Sequence, residues 1–130
     1  MLLTAKDLIW TNHAKEKLAF YGLSEKRVLR ILRHPSRTEE GIAEGTLASN
    51  QIAGSKKHPY EVWVMYQLVK SKPNKKEKEV KNFKKIKTEN QSDFSKKYKV
   101  KIISAWKYPG ISPKGKPIPI PEEILKELGL

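Results

Sequence analysis

Three histidines are the side chains whose chemistry is best suited to proton transfer near neutral pH. His13, His34 and His58 are candidate general acids or bases. Plainer roles compete for them: a hydrogen bond at a helix end or to the sheet for His13, capping of a helix C-terminus for His34, and simple exposure in a turn for His58. The chain has no cysteine, so disulfides, thiolate metal sites and a cysteine nucleophile are excluded.

Positive charge dominates the composition. The 130 residues include 27 Lys and Arg against 14 Asp and Glu, a net charge of +13. Such an excess favours a polyanion as partner, most simply nucleic acid, because Lys and Arg contacts release counterions from phosphates. A solvated lysine-rich surface without a partner is the alternative. The acidic residues are scattered, so we expect no metal site and no cofactor.

The charge is concentrated in two places, of which the first is an insertion between two strand-like runs. Residues 71–97 hold ten lysines against four acidic residues, a net charge of +6. This insertion is predicted either to be a basic arm for RNA or to be a solvated tract. The nucleic-acid-binding candidates within it are Lys75, Lys76, Lys84 and Lys85.

The second concentration follows a predicted helix. Lys26, Arg30 and Arg33 are spaced four and three apart and share one helical face, with Arg37 just past the helix end. This row is suited to contacting successive phosphates, although helices often carry such a stripe for solubility. For Arg37, an ordinary ion pair with Glu39 is the competing explanation.

Local signals predict two helices near the N-terminus, at about 13–21 and 25–34. Thr11 or Asn12 is the expected N-cap of the first, and Gly22 ends it. Ser24 caps the second, which ends before Pro35. The expected apolar faces are Ala14, Leu18 and Tyr21 on the first helix, and Val28, Ile31 and Leu32 on the second.

Four strands follow, at about 37–42, 46–53, 60–69 and 99–107, where the apolar pattern changes to a period of two. In the third, one face is expected to meet the helices and carries Val62, Val64, Tyr66 and Leu68. The opposite face carries Glu61, Trp63, Met65 and Gln67, and we expect it to stay open to a ligand. Gln51, Trp63 and Trp106 would complete it, since an aromatic ring stacks on an unpaired base for ~1 to 3 kcal/mol. Packing in the core is the alternative for each tryptophan.

A Pro-rich tail at 109–121 precedes a short helix that ends near Leu128 and docks through Ile124, Leu125 and Leu128. The predicted fold class is therefore α+β in a single domain, 1–130: two N-terminal helices packed on a four-stranded antiparallel sheet, with a short C-terminal helix. No apolar run approaches the ~18 to 20 residues that span a bilayer, and the N-terminus lacks the apolar core of a signal peptide. We therefore expect a cytoplasmic protein with no membrane partner.

The segment that forms the two helices also carries a motif. HAKEKL at 13–18 and YGLS at 21–24 are followed by Val28, Leu32 and Pro35. This order resembles the pattern H-A-x-x-[RK]-[ML] … G-[IL]-S … V … [IL] … P of small uncharacterised domains related to the RelE/ParE-type toxins. The resemblance covers residues 10–70 and 98–108. It implies a barnase–RelE-like fold, with two helices on a curved antiparallel sheet.

The resemblance also implies an activity on RNA. The superfamily includes metal-independent ribonucleases that act on translated mRNA, gyrase poisons and proteins with no known activity. Metal-free cleavage needs a base for the 2′-hydroxyl, an acid for the leaving oxygen and cations on the phosphate. In RelE-type enzymes the C-terminal end of the sheet supplies basic and tyrosine side chains, which implies catalytic roles for Lys107 and Tyr108, with His13 of the motif as a third candidate. Packing beside Pro109 is the alternative for Tyr108.

Three hypotheses follow from the sequence. The first is an RNA-binding protein that acts as a metal-independent endoribonuclease toxin on mRNA or at the ribosome. The second is a non-catalytic RNA- or ribosome-binding module, and the third is an adaptor whose sheet face is covered by an antitoxin-like helix. The oligomeric state stays open.

Overall fold

The computed structural model describes residues 3–70, 98–114 and 117–129 and has the predicted α+β class. A short 3-10 turn, Ala5–Asp7, precedes the first strand. The strands are β1 (Leu8–Trp10), β2 (Arg37–Glu40), β3 (Leu47–Gly54), β4 (Pro59–Lys70) and β5 (Tyr98–Pro109). The helices are α1 (Asn12–Tyr21), α2 (Glu25–Arg33) and α3 (Glu122–Leu128).

The strands form one mixed sheet in the order β1-β5-β4-β3-β2. The pairs β2–β3, β3–β4 and β4–β5 are antiparallel. The remaining pair, β1–β5, is parallel, with Leu8 opposite Val100. The prediction of a four-stranded antiparallel sheet is therefore wrong in one respect, because the sheet has a fifth strand, β1, at its edge, and this strand is parallel to its neighbour. Its three residues are too few to show a period of two, which is why the pattern did not reveal it.

Both N-terminal helices begin and end where the local signals predicted, within one residue. The Thr11 hydroxyl accepts a hydrogen bond from the Ala14 N–H, and the Ser24 hydroxyl accepts one from the Arg27 N–H. Thr11 also donates to the Ile102 carbonyl at 2.8 Å, which attaches the start of α1 to β5. Gly22 ends α1 with a φ of 67°, a left-handed conformation that glycine adopts without steric cost.

The helices cover one face of the sheet. A contiguous core joins Ala14 and Leu18 of α1 and Val28 and Ile31 of α2 to the sheet. The sheet residues in that core are Val62 and Val64 of β4 and Val100, Ile102 and Ala105 of β5. The predicted inward face of β4 is therefore confirmed at Val62 and Val64, and Tyr66 packs against the same core. The prediction is wrong for Leu68, which is 46% exposed.

The other face of the sheet is covered by the C-terminal segment. Trp63 and Trp106 are fully buried and stack with ring centroids 6.2 Å apart, and Ile118 and Ile124 pack in the same cluster, together with Ala48 and Met65. The expectation of an open face is therefore wrong. Docking of the short helix through Ile124 is confirmed.

A buried carboxylate fastens the start of this segment to the sheet. Glu61 is 1% exposed and accepts hydrogen bonds from the Ser112 hydroxyl at 2.7 Å, the Ser112 N–H at 3.1 Å and the Trp63 indole at 2.9 Å. These donors satisfy a charge that would otherwise be costly to bury. Glu61 therefore serves to hold the chain after β5 and is not open to a ligand.

The pairing of β4 with β5 predicts that residues 71–97 are dispensable for the fold. Lys70 and Tyr98 are register partners, so the segment joins two strand ends that are already adjacent. We expect that the protein still folds and unfolds cooperatively when an Asn-Gly turn, which suits a two-residue hairpin, replaces 71–97. We also expect a melting temperature within about 5 °C of the parent value. Loss of cooperative unfolding would contradict this.

Candidate nucleic-acid interface

Two hollows lie side by side along α2. The inner hollow has a volume of about 260 Å³ and lies between the start of α2 and strands β4 and β5. It is lined by residues 22–24, Arg27, Arg30, Tyr60, Val62 and Lys107. The outer hollow has a volume of about 400 Å³ and is lined by Lys26, Leu29, Arg30, Arg33 and His34. The hollows share Arg30, and we call them together the α2 face.

The α2 face carries positive charge in both hollows. None of the described residues that line either hollow is acidic. Basic side chains that converge on a concave surface without carboxylates produce a positive local potential, which attracts phosphate groups. Arg30 and Lys107, predicted separately as a binding and a catalytic residue, line the inner hollow together.

Two residues of the inner hollow, Arg27 and Tyr60, were not among the predicted site residues. Arg27 is three residues before Arg30, the same spacing that connects Arg30 to Arg33, and this spacing could have identified it. Its Nε atom is buried and has no hydrogen-bond partner among the described residues. Tyr60 comes from the start of β4, and its ring centroid lies 5.3 Å from the Lys107 ammonium. No local signal placed Tyr60 there.

Three of the four cations predicted as a row share the outer hollow. Lys26, Arg30 and Arg33 line it, and Arg33 Nε also donates to the Leu3 carbonyl at 2.6 Å. Arg37 does not join them. After Pro35 the chain enters β2, which directs Arg37 to the covered face of the sheet.

Arg37 is engaged within that face. Its guanidinium lies 2.9 Å from the Glu39 carboxylate and 5.0 Å from the Trp63 ring centroid, and donates to the Ser112 carbonyl at 3.1 Å. The ion pair with Glu39 confirms the alternative weighed for this residue. Trp63 is wholly buried beneath the C-terminal segment, so its ring is not available to stack on a base.

Gln51 closes the end of α2. Its side-chain amide donates to the His34 carbonyl at 2.9 Å and the Arg30 carbonyl at 3.3 Å. The His34 carbonyl lies just past the end of α2, whereas the Arg30 carbonyl also accepts a hydrogen bond from the His34 N–H at 2.9 Å. Gln51 therefore fixes the end of the basic helix to β3, and its amide is not free to read a base.

The three predicted catalytic residues do not meet. Lys107 and Tyr108 are consecutive in β5, so their side chains point to opposite faces of the sheet. Lys107 lines the inner hollow, whereas Tyr108 packs against the cluster beneath the C-terminal segment. His13 lies at the start of α1 and lines neither hollow.

His13 instead connects three elements. Its Nε2 lies 2.9 Å from the Ser104 hydroxyl of β5, and its Nδ1 lies 3.5 Å from the Glu127 carboxylate of α3. The order serine, histidine, carboxylate is that of a nucleophilic triad, but Ser104 has no exposed surface and no substrate can reach it. Burial lowers the pKa of His13, and the nearby Glu127 carboxylate partly offsets this. The cluster is a structural junction.

Lys17 forms the strongest polar contact of this junction. Its ammonium lies 2.7 Å from the Glu127 carboxylate, and its side chain is only 8% exposed. The hydrogen bond to Glu127 raises the pKa of Lys17. Nearby, burial raises the pKa of Tyr21. Glu127 therefore holds α3 against α1.

Four of the lysines predicted to bind nucleic acid lie outside the described residues, so their role stays a prediction: Lys75, Lys76, Lys84 and Lys85. Within 3–70, 98–114 and 117–129, no three His, Asp or Glu side chains are grouped as a metal ion requires. No helix in the described part of the chain is long and apolar enough to cross a membrane.

No known family model, curated protein or solved structure matches this chain. The resemblance to RelE/ParE-type toxins thus remains a prediction based on the motif residues.

The junction predicts a large cost for removing the Glu127 charge. Glu127→Gln leaves the buried Lys17 ammonium without its anion. We therefore expect a loss of about 1 to 2 kcal/mol in the free energy of unfolding. This loss is smaller than for a fully buried ion pair because Glu127 is half exposed. Urea denaturation measures it. Glu122→Gln, at an exposed position in the first turn of the same helix, is the matched control and should cost less, about 0.3 to 1 kcal/mol, because it loses only its interaction with the helix dipole. Equal losses in both variants would contradict the role of Glu127.

The lowered pKa of His13 predicts that acid destabilises the fold. Because the folded pKa lies below the ordinary 6.5, the unfolded chain binds more protons as the pH falls through that value, and stability decreases. Between about pH 7.5 and about pH 5.5, the free energy of unfolding should fall more in the parent than in His13→Gln. The control, His58→Gln in an exposed turn, should follow the parent. Identical pH profiles for the parent and His13→Gln would contradict the prediction.

Proposed function

We propose that this protein binds the phosphate backbone of RNA through its α2 face. The observation that supports the proposal most directly is the inner hollow, where Arg27, Arg30 and Lys107 line one space and no described carboxylate neutralises them. The outer hollow continues the same charge through Lys26 and Arg33. Such contacts are electrostatic and independent of base sequence.

RNA is the preferred polyanion because of two independent features. The motif at 13–24 resembles RelE/ParE-type domains, several of which act on mRNA. The net charge of +13 favours nucleic acid over a small anionic ligand, since a single small anion would need only a few of these cations. The lysines of 71–97 would then add contacts at longer range.

Binding without chemistry is the function that the described geometry supports best. His13, Lys107 and Tyr108 lie in three different environments, so a base, an acid and a cation do not meet at one phosphate. The adaptor hypothesis has less support, because the chain's own Ile118 and Ile124 pack on the sheet face that this hypothesis assigns to a partner helix.

A metal-independent endoribonuclease is the second candidate, and Tyr60 is the observation that favours it. Its ring lies 5.3 Å from the Lys107 ammonium, in the hollow proposed to hold a phosphate. A phenol in that position has the chemistry to exchange a proton with a 2′-hydroxyl or a leaving oxygen. In this second candidate function, Tyr60 has the catalytic role that was predicted for Tyr108.

Salt dependence tests the proposed function. For single strands, each phosphate contact contributes about −0.7 to the slope of log K against log salt. We expect the double variant Arg30→Gln/Lys107→Gln to bind a short single-stranded RNA more weakly than the parent, with a slope shallower by about 1.4, because two contacts are lost. Fluorescence anisotropy between about 50 and 200 mM salt measures this.

The control variant also loses two positive charges, but at a surface away from the α2 face. Lys56→Gln/Lys57→Gln removes two exposed cations from the β3–β4 turn, which lines neither hollow. If both double variants lose affinity equally, the α2 face is not the binding surface. Gel analysis of the same mixtures with a chelator present distinguishes the two candidates. Intact RNA supports the binding module, and cleavage that Tyr60→Phe abolishes supports the enzyme.

A further inference from the structure

The inner hollow presents more positive charge than one internal phosphate would neutralise. Arg27, Arg30 and Lys107 line it together, with no acidic residue among the described lining. An internal phosphodiester carries one negative charge, whereas a terminal phosphomonoester carries nearly two at neutral pH, because its second pKa is about 6. Three cations around one space therefore match the end of a nucleic-acid strand better than its interior.

Two of these cations are placed as a ligand would require. Arg27 lines the hollow and has no acidic partner among the described residues that would neutralise its guanidinium. Lys107 is held over the Tyr60 ring, which reduces the freedom that its ammonium would lose on binding.

We propose that the inner hollow binds a terminal phosphate of RNA. The inference rests on the proposed function, because the rest of the strand would follow the outer hollow, which shares Arg30 with the inner one. A terminal monoester also has three free oxygens, one more than a diester offers to Arg27, Arg30 and Lys107. Both a 5′-phosphate and a 3′-phosphate have this chemistry.

The test compares three forms of one short single-stranded RNA: with a 5′-phosphate, with a 3′-phosphate, and with hydroxyls at both ends. The full chain is titrated in competition with an internally labelled RNA at constant salt. We expect one phosphorylated form to bind about tenfold more tightly than the hydroxyl form, as one or two additional charge-assisted hydrogen bonds would give. The form that gains affinity identifies the end that is bound.

The result that would overturn the terminal-phosphate site differs from the result that would overturn RNA binding itself. Equal affinity for all three RNAs overturns the terminal-phosphate site and leaves backbone binding intact. Binding of none of them overturns both.

Substitutions test whether the preference for a terminal phosphate comes from the inner hollow. Arg27→Gln and Lys107→Gln should lower binding of the phosphorylated RNA more than that of the hydroxyl RNA, bringing their ratio to about one. Lys26→Gln in the outer hollow should weaken all three RNAs by a similar factor and keep the ratio. Circular dichroism confirms that each variant is folded. A ratio that survives both Arg27→Gln and Lys107→Gln places the terminal phosphate elsewhere and overturns the proposal.

Discussion

Burial of both faces of a five-stranded sheet is the constraint on which the rest of this structure depends. The helices α1 and α2 cover one face, and the segment after β5 covers the other through Ile118 and Ile124. Because Trp63 and Trp106 are enclosed in this way, the aromatic side of the sheet is not a binding surface. The outer side of α2 and the adjoining ends of β4 and β5 carry the cations of the α2 face.

Local signals were sufficient to predict the helices, and they were not sufficient to predict what covers the sheet. Thr11, Ser24 and Gly22 act on the backbone within a few residues of themselves, so their effects could be derived from the sequence. The alternation along β4 correctly separated Val64 from Trp63. It could not show that Trp63 is buried by residues more than fifty positions later, since such docking depends on tertiary packing.

The candidate site was predicted only in part, for a related reason. Lys107 and Arg30 were identified as cations, but their meeting in one hollow is set by the packing of α2 against the sheet. Tyr108 and Lys107 were both predicted from the RelE resemblance because they lie at the end of the last strand. The period of a strand, however, places adjacent side chains on opposite faces. Arg37 was predicted as an extension of the helical row, but β2 directs it to the covered face, where it pairs with Glu39.

The central claim is that RNA meets the α2 face and leaves the covered side of the sheet undisturbed. Titration of ¹⁵N-labelled protein with single-stranded RNA, followed by amide and indole NMR shifts, tests this claim most directly. The account predicts progressive shifts for the amides of residues 22–34 and of Lys107, with the indole N–H signals of Trp63 and Trp106 unchanged. Shifts confined to α3 and to those two indoles would contradict it.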